Sequence, residues 1–231
     1  CNTKANELLV CCRGTESTSD VISDLKAWKN NLYDIYYHNN FKPYRKTLGM
    51  PSIHSGFNDQ YNTIKFIIYH KVYEYLLKEP EKPTVIFTGH SLGGALATIA
   101  ATCMAVQFSN RKNLDIQCYT FGSPRVGNKA FVNIFDKFVG RSERIVNELD
   151  PVPMIPRITG YHHVRGLQHI TEEEEQGGNK KYNIFDFAKP YERFNSFLFK
   201  IFKVVWYSST DNHSLSEYEE RLEACVNGKC E

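Results

Sequence analysis

The stretch Thr84–Ala95, with the sequence TVIFTGHSLGGA, decides the fold of this chain. Its first five residues are apolar or β-branched, which predicts a short buried strand over Thr84–Thr88. An apolar, alanine-rich run follows and predicts a helix over Leu92–Phe108. Between strand and helix lies the pattern G-x-S-x-G, which is typical of a sharp strand-to-helix turn that exposes the hydroxyl of its central serine, here Ser91.

The glycines of this pattern have a steric role. A turn this sharp holds Ser91 in a strained backbone conformation, so a side chain two residues before or after it would collide with neighbouring backbone. Gly89 and Gly93 remove those collisions. Gly94 and Ala95 allow the helix to pack closely.

The rest of the chain repeats the alternation of short strands and longer helices. This alternation predicts the α/β class, with a central, mostly parallel sheet flanked by helices in a single domain over residues 1–231. The other predicted strands are Glu7–Cys12, Ile116–Phe121, Arg144–Leu149 and His163–Ile170. The other predicted helices are Phe57–Lys78, Phe131–Val139 and Ser214–Cys225. We interpret Glu172–Lys181 as a solvated turn or loop.

Composition excludes several classes of partner. The chain has 231 residues, with 28 basic and 26 acidic side chains and a formal charge of +2, which gives no reason to expect nucleic acid. It has no apolar run of about 18 residues, so we expect no transmembrane helix. No signal-peptide pattern opens the chain, which begins at Cys1 as a processed or trimmed protein would. A secreted or membrane-surface location stays open.

The seven cysteines fall into two groups. Four lie in apolar segments, and we expect them to be buried thiols: Cys11, Cys12, Cys103 and Cys118. Three lie near the termini, where one disulfide is possible but its pairing is open: Cys1, Cys225 and Cys230.

A serine on such a turn needs an acid and a base, which follow it along the chain in that order. Asp150 comes directly after a predicted strand, and the prolines that follow would stiffen the loop that carries its carboxylate. Glu148 is the competing acid, but it lies inside the predicted strand.

His213 is the candidate base, because it follows the last predicted strand and directly precedes the closing helix. His162, His163 and His169 lie before or within that strand, too early for the base position. No cysteine or carboxylate completes a known metal-ligand spacing with these three histidines, so we predict no metal site.

These residues resemble the class 3 lipase family of α/β-hydrolases. The resemblance extends over most of the chain, and five segments occur in the order of the family. They are Val10–Thr15, Ile53–Phe57, Thr88–Ala95, Thr120–Asn128 and Asp150–Pro153, followed by His213 and Tyr218. The resemblance implies an α/β-hydrolase fold and hydrolysis of lipid esters.

The resemblance also implies roles for individual residues. Ser91, Asp150 and His213 would form the catalytic triad, and the backbone N–H groups of Thr15 and Leu92 would form the oxyanion hole. Acyl transfer of this kind requires no metal or organic cofactor.

Between Thr15 and His54 the chain makes a long excursion, and we predict a lid helix over the active site within residues of about 16–50. Four apolar side chains there share one helical face: Val21, Ile22, Leu25 and Trp28. Such a face would cover the acyl site when closed and meet lipid when open. A helix packed permanently on the core is the alternative.

The expected substrate is a lipid ester at a lipid–water interface. The alternatives are a phospholipid, galactolipid or aryl ester on the same triad, and a non-catalytic scaffold of lipase type. The apolar segment Arg193–Tyr207 is too short to span a bilayer. It is either buried beside the acyl pocket or in peripheral contact with a membrane.

Overall fold

A seven-stranded sheet organises the molecule in the computed structural model. The structure describes residues 2–4, 7–14, 28–78, 81–148, 150–156, 160–174, 180–186 and 218–223. The strands are β1 (Asn2–Lys4), β2 (Glu7–Cys12), β3 (Lys29–Asn31), β4 (Ser52–His54), β5 (Thr84–His90), β6 (Asp115–Phe121), β7 (Ser142–Asn147), β8 (Leu167–Glu174) and β9 (Lys180–Asp186). The α-helices are α1 (Tyr33–Tyr36), α2 (Arg45–Leu48), α3 (Ser55–Leu77), α4 (Leu92–Gln107) and α5 (Lys129–Phe138), with 3-10 helices at Asn39–Tyr44 and Val152–Met154 and a helical segment at 218–223.

The sheet has the strand order β1-β2-β5-β6-β7-β8-β9, and β3 pairs with β4 separately. Strands β2, β5, β6, β7 and β8 are parallel neighbours, while β1 and β9 add antiparallel edges. This confirms the prediction of a mostly parallel sheet. Because parallel strands end at one edge of a sheet, the segments that follow β5, β6 and β7 meet there.

Helix α4 lies in the core, and its residues from Leu92 to Thr102 are all buried. Small alanine and glycine side chains let its backbone approach the sheet closely. Its buried hydroxyls bond within the helix: Thr98 donates to the Gly94 carbonyl at 2.8 Å and Thr102 to the Thr98 carbonyl at 2.7 Å. The helix therefore tolerates burial on all sides.

Helix α3 packs one face on the core, as its periodicity predicts. Its buried side chains are Phe57, Tyr61, Ile68, Val72, Tyr75 and Leu76, and Ile64 is partly buried. Among the described helices, none combines the length and apolar character that crossing a bilayer requires.

Two sequence predictions about the chain after β7 are wrong. Strand β8 begins at Leu167 rather than at His163, because Gly166 has a positive φ of 86° and interrupts the extended backbone. The segment predicted as a loop over Glu172–Lys181 continues β8 to Glu174 and starts β9 at Lys180. Antiparallel pairing between these two strands supplies backbone hydrogen bonds that a charged sequence does not reveal.

The thiol prediction is confirmed only in part. Cys12 and Cys118 are buried, whereas Cys11 and Cys103 are half-buried. Burial raises the pKa of the Cys118 and Cys103 thiols to about 12, so neither is a thiolate at neutral pH. The three terminal cysteines lie outside the described residues.

Residues 29–50, the greater part of the predicted lid segment, belong to the body of the domain. Leu32, Ile35 and Phe41 are buried in the main hydrophobic core. Arg45 donates to the Tyr36 carbonyl and ties two turns of this segment together. The apolar segment Arg193–Tyr207 lies outside the described residues.

Candidate active site

Ser91 occupies the junction between β5 and α4. Its φ of 53° and ψ of −125° make it the only non-glycine residue with a positive φ in the described part of the chain. Its N–H donates to the Phe121 carbonyl of the neighbouring strand at 2.9 Å. Such a conformation costs about 1–3 kcal/mol and is maintained only where the surroundings enforce it.

The glycines around Ser91 allow the backbone to pack against itself. A Cβ atom on Gly89 would lie 2.3 Å from the carbonyl oxygen of Gly93, and one on Gly93 would lie 2.2 Å from the carbonyl oxygen of Cys12. A Cβ on Gly94 would lie 2.8 Å from the Ser123 side chain. These distances confirm the steric reason for glycine at each position.

The hydroxyl of Ser91 is buried and makes no hydrogen bond to any described residue. Beside it, the Leu92 amide is the first of α4 and has no carbonyl acceptor within the helix. The segment after β2 approaches the same turn, since a Cβ on Gly14 would lie 2.8 Å from the His90 carbonyl oxygen. A helix N-terminus beside a hydroxyl that bonds to no described residue favours a negative charge at this position.

Asp150 follows β7, two strands from Ser91 in the sheet. Its Oδ1 accepts the backbone N–H of Val152 at 2.9 Å, and its Oδ2 accepts the hydroxyl of Tyr218 at 2.8 Å. Glu148, the competing acid, is exposed to solvent. The strand ends at Asn147, so Glu148 lies beyond the strand rather than inside it.

Tyr218 is fully buried and connects the helical segment 218–223 to the end of β7. Its oxygen accepts the backbone N–H of Asn147 at 3.0 Å while it donates to Asp150. Burial and the neighbouring Asp150 carboxylate raise the pKa of Tyr218 well above its usual range. The hydroxyl therefore keeps its proton and remains a donor to the carboxylate.

Gly122, the first residue after β6, lies where three polar side chains converge. A Cβ on this residue would lie 2.5 Å from Asp150 Oδ2, 3.1 Å from the Tyr218 hydroxyl and 3.4 Å from His90 Nε2. Its φ of 57° also requires glycine. No individual role was predicted for Gly122 or Tyr218, although both are among the residues that carry the family resemblance, and Gly122 lies at a predicted strand end.

His90 is the third of these side chains. It is a neutral packing residue, in agreement with its position inside the turn. It is buried, and burial lowers its pKa to about 4. Its ring meets the ring of Tyr218 edge-on at a centroid distance of 5.8 Å. Within the described ranges, no group of three or more histidine, cysteine or acidic side chains is arranged to hold a metal ion.

Several predicted site residues lie outside the described residues: Thr15, Val21, Ile22, Leu25 and His213. The fourth lid residue, Trp28, has 74% of its surface exposed. Its carbonyl is held by the Ser55 N–H at 2.9 Å and by the Tyr161 hydroxyl at 3.2 Å. The indole is thus presented to solvent from a fixed backbone.

Solved structures resemble this fold. A lipase from Rhizopus microsporus var. chinensis superposes with a TM-score of 0.53 and 30% identity, over 73% of this chain and 53% of that one. The Rhizomucor miehei lipase in its propeptide complex superposes with a TM-score of 0.58 and 26% identity, over 80% of this chain and 54% of that one. The fold is therefore an α/β-hydrolase fold.

Proteins of known activity also share sequence with part of this chain. Secreted mono- and diacylglycerol lipase 1 of Fusarium solani is 37% identical over 112 residues, which are 48% of this chain and 32% of that protein. Phospholipase A1-II 1 of Oryza sativa subsp. indica is 45% identical over 84 residues, 36% of this chain and 21% of that protein. The matched parts span less than half the length of these curated relatives. The model of the family Lipase (class 3) matches residues 9–160, about two thirds of the chain, and the chain belongs to the class 3 lipase family.

Proposed function

We propose that this protein hydrolyses carboxylic esters of lipids, with Ser91, His213 and Asp150 as its triad. The observation that carries the proposal is the strained, buried Ser91 at the β5–α4 junction. A backbone conformation that costs free energy and presents a hydroxyl without a described hydrogen bond is typical of a nucleophile rather than of a packing residue.

In the proposed reaction, His213 removes the proton of the Ser91 hydroxyl as its oxygen attacks the ester carbonyl. The backbone N–H groups of Leu92 and Thr15 bind the resulting oxyanion, each contributing on the order of 10²–10³ in rate. His213 then donates its proton to the leaving alcohol, and an acyl-enzyme forms on Ser91. Water, deprotonated by His213, attacks the acyl-enzyme and releases the fatty acid, while Asp150 holds the imidazole in the required tautomer.

The acid role of Asp150 is supported by its hydrogen bonds. One carboxylate oxygen is bound by a backbone N–H and the other by the Tyr218 hydroxyl, which stabilises the ionised form. An ionised, oriented carboxylate is what an imidazole needs to accumulate positive charge during the reaction.

We propose that the lid is limited to residues 16–28, the part of the predicted segment of about 16–50 that carries the apolar helical face. Residues beyond this segment contribute to the core, so they cannot move without loss of packing. Trp28 marks the end of the proposed lid, since its carbonyl is bound by two donors while its side chain is exposed.

The relatives favour acylglycerols as the substrate, with phospholipids as the second candidate. The Fusarium solani relative is a mono- and diacylglycerol lipase, and the Oryza sativa relative is a phospholipase A1. Both substrates carry the same carboxylic ester, so the site chemistry accommodates either one. The two classes differ in that a phospholipid carries a phosphate headgroup, which an acylglycerol lacks.

A covalent probe tests the proposed nucleophile. A fluorophosphonate followed by peptide mapping should label Ser91, and Ser91→Ala should abolish labelling. Hydrolysis of diacylglycerol and phosphatidylcholine by the same preparation then separates the two substrate classes. Labelling at another serine would overturn the site assignment, and a folded wild-type protein without any ester turnover would indicate a non-catalytic scaffold.

A further inference from the structure

The loop after Asp150 is held from outside at four consecutive positions. Each backbone carbonyl of residues 153–156 accepts a hydrogen bond from Arg125 or His163. Nη1 of Arg125 donates to the carbonyls of Met154 and Pro156 at 2.5 and 2.9 Å. The backbone N–H of Arg125 donates to the Ile155 carbonyl at 2.9 Å. Nε2 of His163 lies 2.7 Å from the carbonyl oxygen of Pro153.

The same loop holds the carboxylate of Asp150. The Val152 N–H donates to Oδ1 at 2.9 Å, and Val152 opens the short 3-10 helix that leads into the braced carbonyls. The N–H groups of Met154 and Ile155 close this turn onto the carbonyls of Pro151 and Val152, both at 3.1 Å. A displacement of the braced residues is therefore transmitted to the donor that orients the carboxylate.

His163 is suited to donate from Nε2. Burial and the neighbouring guanidinium of Arg144 lower its pKa to about 3, so the imidazole is neutral at physiological pH. A neutral imidazole has one N–H, and the carbonyl of Pro153 can only accept, so that proton is on Nε2. The hydrogen bond accordingly does not depend on pH in the physiological range.

Arg144 fixes the segment that carries His163. This arginine lies on β7 with 6% of its surface exposed, and its Nε donates to the Val164 carbonyl at 3.0 Å. Arg125 belongs to the segment after β6, and His163 belongs to the segment before β8. The loop is thus held by two segments, one that precedes it and one that follows it in the sequence.

We infer that Arg125 and His163 are positioning residues that set the orientation of the Asp150 carboxylate by bracing residues 153–156. The inference rests on the proposed function, because it gives these two residues an effect on catalysis. Neither side chain needs to contact substrate. Without the four external hydrogen bonds to residues 153–156, the loop would shift and carry the Val152 N–H away from Oδ1 of Asp150.

Two pairs of variants test the inference: Arg125→Met with its control Arg165→Met, and His163→Leu with His163→Gln. Arg125→Met removes the guanidinium donors and keeps the backbone donor, and His163→Leu removes the imidazole donor. We expect kcat on a soluble short-chain ester to fall about 10- to 100-fold with little change in KM. The acid limb of the pH profile of kcat/KM should move to lower pH, because a misplaced carboxylate no longer favours the protonated base. His163→Gln, which restores an N–H donor, should recover much of the activity.

Arg165→Met is the matched control. The Arg165 guanidinium also bridges several carbonyls, those of Asp136, Val139 and Gly140, but these precede the start of β7, whereas Asp150 follows its end. This variant should lose thermal stability without changing kcat or the pH profile. Hydrogen exchange at Val152, Met154 and Ile155 should accelerate in Arg125→Met and not in Arg165→Met.

The outcomes separate the two proposals. An active wild type with an Arg125→Met variant of unchanged kcat and unchanged pH profile overturns the inference alone. Equal losses of active fraction in Arg125→Met and Arg165→Met, with the pH profile preserved in both, assign these arginines a purely structural role and also overturn it. A wild type that neither labels at Ser91 nor hydrolyses esters overturns the proposed function, and the catalytic role of the brace with it.

Discussion

The hydroxyl of Tyr218 donates a 2.8 Å hydrogen bond to Oδ2 of Asp150. The two residues are 68 positions apart in sequence, and the carboxylate belongs to the segment after β7. Because the Asn147 N–H donates to the same hydroxyl at 3.0 Å, a single tyrosine oxygen joins the end of a central strand to the proposed catalytic acid.

Tyr218→Phe should weaken both catalysis and folding. The change removes one donor from the Asp150 carboxylate and leaves the buried Asn147 N–H without its acceptor. We expect kcat/KM to fall roughly 10-fold and the free energy of unfolding to fall by about 1–3 kcal/mol. Ester hydrolysis and urea unfolding measure the two effects. Tyr73→Phe, at a tyrosine with 44% of its surface exposed, should change neither.

Replacing Ser91 should reveal the strain at the nucleophile. Both Ser91→Gly and Ser91→Ala remove the hydroxyl, so both should lack ester turnover. Because φ is 53°, Ser91→Gly should be more stable than Ser91→Ala by about 1 kcal/mol. Urea unfolding of the two variants makes the comparison. Equal stabilities would mean that the turn is not strained in solution.

Gly122→Ala should inactivate the protein by displacing Asp150. The new methyl group would lie 2.5 Å from Oδ2, in addition to the cost of a positive φ. Activity should fall on the order of 100-fold. Gly160→Ala bears a similar backbone cost at a φ of 89°, but among the described residues its methyl group meets only the flexible end of Lys29, so it should stay active. Similar activity losses in both variants would attribute the effect to backbone strain alone.

His90 should make the protein less stable as pH falls. Its pKa is lowered to about 4 in the folded protein, against 6.5 in the unfolded chain. Above pH 6.5 the contribution is fully present, and between 6.5 and about 4 the unfolded chain binds a proton that the folded protein does not. The free energy of unfolding therefore falls by at most about 1.4 kcal/mol for each pH unit in this range.

The measurement compares wild type with His90→Gln by urea unfolding at several pH values from 7.5 to 4.5. The glutamine variant should show a shallower loss of stability towards low pH, whatever its stability at pH 7.5. Parallel curves for the two proteins would contradict a neutral His90 in the folded state.

Trp28→Ala tests the proposed lid. Since 74% of the Trp28 surface is exposed, its loss should leave the melting temperature within a degree or two. If the indole meets lipid, hydrolysis of an emulsified long-chain ester should fall about 10-fold while hydrolysis of a soluble short ester stays unchanged. Tyr37→Ala, at another exposed aromatic residue, is the control. Equal effects on both substrates would argue against contact of Trp28 with the lipid surface.

Local sequence was sufficient for the elements that carry strong periodicity. Strand β2 has the predicted bounds, and α3 and α4 differ from the predictions by one or two residues at their ends. Buried strands and amphipathic helices are specified by the residues that form them. The short strands β1, β3 and β4 were missed, because strands of three residues exist only through their pairing partners.

By itself, the sequence determined the turn at Ser91, because the collision that excludes a side chain at Gly89 arises within the turn, at the carbonyl of Gly93. Only the tertiary structure decided what surrounds Asp150. Tyr218, His163 and the pair Gly122 and Arg125 come from three separate segments, and their meeting depends on the order of the strands in the sheet. Hydrogen bonds of this kind are set by the distances between atoms of remote segments, and no periodicity or composition encodes those distances.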